Sequence, residues 1–191
     1  MQLNRVMTAG TSIHPDLVAG TWKLDKAHSE LSFTVKHLGI SKVRGVFHDF
    51  DVTIHAADEL EDSTIEATID LASVDTKDPN RDGHLKTGDF FKIDEFPTAT
   101  FKSTSISGAL DDFTVTGDLT LRGVTKPITL KGEFGGVNTD AYGNVHAGAE
   151  VKTTIDRTEF GVSWNSPLET GGLLLSNDVT LNFDLQVILQ K

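Results

Sequence analysis

The chain has 191 residues, about the size of one all-β domain, and carries 28 acidic against 17 basic side chains for a net charge of −11. That balance speaks against nucleic acid, whose phosphates need clustered Lys and Arg, and against docking on anionic lipid, so no basic patch is expected. The absence of cysteine removes disulfides, Cys-ligated zinc, iron–sulfur clusters and thiol nucleophiles.

Residues 1–19 show no period and are expected to be an extension ahead of one domain over 20–191. Met1 to Gly20 holds no apolar run of the signal-peptide kind. No run of about 18 apolar residues occurs anywhere, so no transmembrane helix is expected. As written, the sequence is expected to be soluble and cytoplasmic.

From Thr21 onward apolar and polar residues alternate, the mark of half-buried strands. After a segment near 21–25, Leu31, Phe33 and Val35 share one face. Another segment covers 42–55, where the spacing of Phe47 and Phe50 suggests a bulge. Ile65, Ala67, Ile69 and Leu71 repeat the pattern. Asp78 then offers an N-cap and Pro79 a first helical residue, predicting one short helix to about Lys86. Strands resume at 98–106, at 113–121 and at 128–134. Val145–Val151 and Val179–Leu189 complete eight or nine, with Asp111-Asp112, Arg122-Gly123 and Gly143-Asn144 as turn chemistry between them.

Such one-sided strands need a single buried face, which a sandwich or a closed antiparallel barrel supplies; closure also removes exposed edges. An eight-stranded barrel is either filled by side chains or wide enough for one small ligand. Gly117, Gly132, Ala147 and Ala149 on the inward face leave space or merely accommodate bends. Both readings stay open on this pattern.

The inward stripe of Phe33 and Val35 ends on His37, whose imidazole suits a hydrogen bond to a polar head. Phe47, Phe101, Leu119, Phe134 and Phe160 are further wall candidates. Phe90 and Phe91 follow the helix and either cap the mouth or pack in the core. Arg157 stands two residues after inward Ile155, so its guanidinium is expected to turn inward. There it needs an acidic partner or a bound anionic or polar head. Arg81 and Asp82 read as ties between helix and barrel rim, with Leu85 beneath. No catalytic constellation and no zinc-ligand spacing emerges among the seven histidines. Catalytic residues, metal and a required cofactor are therefore not expected.

Motifs spread from Thr21 to Gln190 carry a resemblance. They include Trp22-Lys23-Leu24-Asp25, Val35-Lys36-His37-Leu38 and Val46-Phe47-His48-Asp49-Phe50. Ser73-Val74-Asp75-Thr76, Arg81-Asp82-Gly83-His84-Leu85 and Asp89-Phe90-Phe91 follow. The most distinctive runs from Gly117-Asp118-Leu119-Thr120 through Arg122-Gly123 to Lys126-Pro127, and Asp156-Arg157-Thr158-Glu159-Phe160-Gly161 comes last. Together they resemble the YceI-like family of bacterial, lipocalin-like proteins associated with polyisoprenoid binding.

The resemblance implies an all-β, extended antiparallel eight-stranded barrel. It implies a carrier or store whose lumen takes a long-chain lipid, such as a polyprenyl chain or quinone tail, as partner. A homodimer is compatible with it. Many members of that family are periplasmic, whereas no signal peptide is expected over Met1 to Gly20 of this sequence, a departure from them. Two rivals stand beside it: a lipid-modifying hydrolase or isomerase with His37 or His84 as general base, and a solid barrel serving protein interaction through its acidic face.

Overall fold

The computed structural model describes residues 17–191, and in it the alternating segments pair into one closed antiparallel sheet. The first half of the chain forms β1 (Gly20–Leu24), β2 (Glu30–His37), β3 (Ser41–Phe47), β4 (Phe50–Ala56), β5 (Thr64–Asp70), β6 (Val74–Asp75) and the helix α1 (Pro79–Leu85). The second half forms β7 (Thr98–Ala109), β8 (Asp112–Leu121), β9 (Val124–Thr139), β10 (Val145–Asp156) and β11 (Leu175–Leu189). The ring runs β1-β4-β5-β7-β8-β9-β10-β11 and closes where Trp22 pairs with Leu189. This is the eight-stranded barrel that the sequence leads one to expect.

The three remaining strands prolong staves of that ring. β11 pairs with β1 at its C-terminal end and with β2 along the rest, so β1 and β2 form one stave with a break at residues 25–29. Likewise β3 continues β4, and β6 continues β5. Short side chains make the breaks. Asp25 accepts from Ala27 N and caps a turn of 3-10 helix at Lys26–His28, and Asp70 does the same for Leu71–Ser73 through Ala72 N. Between Phe47 and Phe50, His48 and Asp49 leave the ladder, which is the irregularity their spacing suggests.

The broken staves decide where the barrel opens. β7 pairs with β5 only from Thr98 to Lys102, and no strand pairs with the free edge of β6 among the described residues. At that end the ring is completed by α1 and the segment 86–97 instead. Asp78 caps α1 by accepting from Asn80 N and Arg81 N, with Pro79 in its first turn. Arg81 and Asp82 tie the helix to the rim. Thr76 N and Oγ1 donate to the Asp82 carboxylate, while Arg81 donates to Thr76 Oγ1 at 2.8 Å and to its carbonyl at 2.7 Å.

Two of the inward glycines do not leave space. Phe101 lies over Gly117 and Phe113 over Gly132, each ring filling the place a side chain would take. The Phe101 ring helps fill the barrel's middle, packing against the buried clusters on both sides. Of the extension expected over 1–19, residues 1–16 lie outside the described residues. Leu17 packs against the core, and the Val18 carbonyl accepts from Trp22 Nε1 at 3.1 Å.

Candidate functional site

The packed middle divides the interior into two chambers with no lining residue in common. The larger, at the end completed by α1, has a volume of about 280 Å³ and walls almost wholly apolar. That lies just under the range of about 300–1,000 Å³ that holds drug-sized ligands. The smaller holds about 90 Å³ between Leu17, Trp22, Phe134 and Val187. Ile65, Phe101, Ile128 and Phe183 pack against the clusters on both sides and form the partition.

Strand parity brings Phe33, Val35 and His37 of β2 into the larger chamber, with Val43 and Phe47 beside them from β3. Phe33 reaches inward across Gly45, its register partner on β3; a Cβ there would sit 2.4 Å from the ring. Leu181 of β11, the register partner of Phe33, continues this wall, and Leu119 of β8 lines the chamber from another strand. The His37 imidazole is half-exposed at the rim and makes no side-chain hydrogen bond among the described residues.

Arg157 is the buried charged residue of this wall, which Thr76, Arg81, His84 and His37 also line. Asp156 caps a 3-10 turn over Arg157–Phe160 by accepting from Thr158 N, and Gly161 ends it at φ 74. That turn carries the guanidinium inward, where it is 4% exposed. No carboxylate among the described residues pairs with it. Its Nε donates to the Ser176 carbonyl at 2.9 Å, and Nη1 donates to those of Val162 and Trp164 at 2.7 and 2.9 Å. Nη2 is buried with no partner among the described residues. Burial lowers the Arg157 pKa, against the opposing pull of the Asp156 charge. A buried cation fixed by three carbonyls thus keeps the two N–H groups of Nη2 without an acceptor among the described residues.

An aromatic cluster roofs the chamber. The His84 ring stands edge-on to Trp164 at 4.9 Å and to Phe90 at 5.1 Å, and its Nε2 lies 2.8 Å from Asp89 Oδ2. Leu85 and Phe91 line the same wall, Phe91 against Phe47 at 5.9 Å. This roof is clipped to the barrel by the β8–β9 turn. Arg122 and Gly123 occupy it at positive φ, and Arg122 Nη1 donates to the carbonyls of Gly88 and Phe90.

Of the candidates read from sequence, Phe33, Val35, His37, Phe47, Phe90, Phe91, Leu119 and Arg157 meet at this one chamber. Phe134 belongs to the smaller chamber. Phe101 lines neither, because its ring is spent over Gly117 in the partition. Phe160 is 1% exposed in the core and is also off the wall. The sequence pattern does not point to Trp164, Arg122 or the wall role of Arg81. Trp164 falls in an irregular stretch where no period assigns a face, its only signal being a large aromatic among polar residues. Among the described residues no group of three or more His, Asp or Glu side chains is placed to hold a metal ion, and no helix is long and apolar enough to cross a membrane.

Comparison with known proteins agrees with this geometry. The sequence profile described as YceI-like domain matches residues 22–187. A UPF0312 protein of Staphylococcus aureus (strain USA300) is 44% identical over 158 residues, covering 81% of this chain and 90% of its own. The crystal structure of a Campylobacter jejuni YCEI protein superposes with a TM-score of 0.70 at 33% identity, over 88% of this chain and 97% of that one. A polyisoprenoid binding domain from Saccharophagus degradans shares the fold, with a TM-score of 0.63 at 18% identity over 88% and 98% of the two chains.

Proposed function

The chain belongs to the YceI-like domain family, and we propose that its barrel binds a long-chain, isoprenoid-type lipid in the larger chamber, with a polar oxygen of the lipid on Arg157 and no catalysis. The observation that carries the reading is the cavity of about 280 Å³ with almost wholly apolar walls, to which Arg157 contributes a guanidinium whose Nη2 is buried without a partner among the described residues. The polyisoprenoid-binding neighbour points to the same ligand class.

The energetics favour a chain over a compact guest. Each five-carbon isoprene unit buried contributes roughly 3–4 kcal/mol at about 0.8 kcal/mol per CH₂. Ordering a flexible chain offsets several kcal/mol, so one unit would bind weakly and a few units well. The Arg157 donor then fixes which end sits at the wall, and His37 lies at the rim for a second polar contact. A quinone carbonyl, a prenyl hydroxyl or a phosphate oxygen would each satisfy that donor.

Native mass spectrometry of gently purified protein, followed by extraction, tests the reading. The expected result is a retained lipid with several isoprene units, recovered unchanged after long incubation. A protein that carries nothing and fails to take up prenyl alcohols would overturn it. Turnover of the lipid would favour the enzyme reading with His37 or His84 as base.

A further inference from the structure

The β2–β3 hairpin breaks two local rules at the mouth of the larger chamber. Its tip, Leu38-Gly39-Ile40, turns with Leu38 at φ 56 and Gly39 at φ 70, and Ile40 N donates to the His37 carbonyl. A left-handed leucine is a conformation that Gly or Asn adopts with less strain. Behind the tip the register sets Lys36 directly opposite Lys42, with Arg44 one step further along the same outer face. Like charges directly opposite destabilise a strand pair. None of the three cations has a side-chain hydrogen bond or ion pair among the described residues. Asp178, beside the Val179–Val35 pair on β11, forms no ion pair with them either.

The tip is also apolar and exposed. Ile40 is 85% exposed and Leu38 40%, and Leu173 in the adjoining turn is 51% exposed. The tip adjoins the chamber through its backbone, since Leu38 N donates to the carbonyl of Leu174, a residue of the cavity wall. A bulky apolar tip flanked by free cations matches an anionic bilayer: the side chains enter the acyl boundary while the cationic groups meet phosphates. Violated local rules gathered at one place mark function rather than folding.

We infer that this hairpin docks the barrel on an anionic lipid surface, presenting the mouth of the larger chamber to the bilayer for exchange of its guest. The overall charge of −11 hides the patch, because pairing brings together cations that the linear sequence dilutes. Docking itself stands apart from the identity of the guest. It is read on the protein alone, so a failure here leaves the cavity reading in place.

The test is flotation of the full chain with vesicles of phosphatidylcholine and phosphatidylglycerol, beside phosphatidylcholine alone. The expected result is co-flotation with the anionic vesicles only, weakening as salt rises. Lys36→Glu and Lys42→Glu should each weaken it about fivefold or more. Ile40→Asp should weaken it about tenfold or more with an unchanged melting temperature, since so exposed a side chain contributes little to the core. No flotation, flotation indifferent to Ile40→Asp, or equal flotation on neutral vesicles would overturn the inference. So would a concentration-dependent dimer that Ile40→Asp dissociates without any vesicle binding, which would make the tip a self-association surface.

Discussion

The phenyl ring of Phe101 lies across Gly117, where a Cβ would stand 2.5 Å from the ring and 2.5 Å from the Lys102 carbonyl oxygen. The ring can be pushed aside but the backbone cannot. Gly117→Ala is therefore expected to destabilise the fold by about 1–3 kcal/mol, as overpacking does. Gly83 is the contrast. It sits inside α1, and a Cβ added there would meet nothing within 4 Å, so Gly83→Ala should stabilise by about 0.5–1 kcal/mol. Urea denaturation midpoints of the two variants should move in opposite directions.

The two tryptophans report on different chambers. Trp164 lines the larger and Trp22 the smaller. A guest in the larger chamber should change the fluorescence of Trp22→Phe, which keeps Trp164, and leave that of Trp164→Phe nearly constant. Titration with a prenyl alcohol checks this. A response carried by Trp22 instead would place the guest at the other end.

Arg157→Lys separates head-group recognition from chain burial. A lysine keeps the charge but has no planar fork to span three carbonyls and still leave a donor free. Affinity for a prenyl alcohol should fall about tenfold or more, on the scale of one hydrogen bond to a charged group. Affinity for a headless hydrocarbon of the same length should hold to within a few fold. Calorimetric titration of the pair measures the difference, and equal losses for both would assign Arg157 a structural role alone.

Much of this was legible in the alternation. It gave one-sided strands that call for a sandwich or a closed barrel, the inward parity of Phe33, Val35 and His37, and the inward turn of Arg157, while the family resemblance supplied the eight-stranded closure. What alternation does not encode is what faces each residue across the lumen. Parity places Gly117 inside but says nothing of the Phe101 ring that reaches over it from β7. Arg157 invites an acidic partner on sequence grounds, yet its partners are carbonyls of residues 162, 164 and 176, groups every residue carries and no pattern marks. The stave breaks hang on Asp25 and Asp70, whose capping role depends on backbone that has already left the ladder.

Acid should loosen the fold through carboxylates on its outer face. Hydrogen bonding from His146, then from Asn144 N, holds Asp140 well below the usual carboxylate value of 3.8, and hydrogen bonding from His48 lowers Asp75 in the same direction. The folded values lie below the unfolded ones, so this stabilisation is complete above about pH 4 to 5 and is lost as pH falls through the folded values. Asp140→Asn should flatten the acid limb of a plot of stability against pH and leave its slope near neutrality unchanged. Urea midpoints across that range decide the matter.

The partition sets a limit on chain length. Affinity in a series of prenyl alcohols should climb with each unit by a share of the roughly 3–4 kcal/mol of burial, then level once the larger chamber is full. Further units would have to pass Phe101, which packs against the clusters on both sides of the partition. Phe101→Ala removes that ring and uncovers Gly117, whose missing side chain cannot refill the gap. The variant should lose up to about 3–5 kcal/mol of stability, as large-to-small core changes do. It should nonetheless extend the rising part of the series to longer alcohols, because the two chambers then communicate. Tryptophan fluorescence follows both effects at once: in the variant, long alcohols should perturb Trp22 as well as Trp164, while short ones perturb Trp164 alone. A plateau at the same length in both proteins would mean that the remaining side chains, Ile65, Ile128 and Phe183, seal the middle without Phe101.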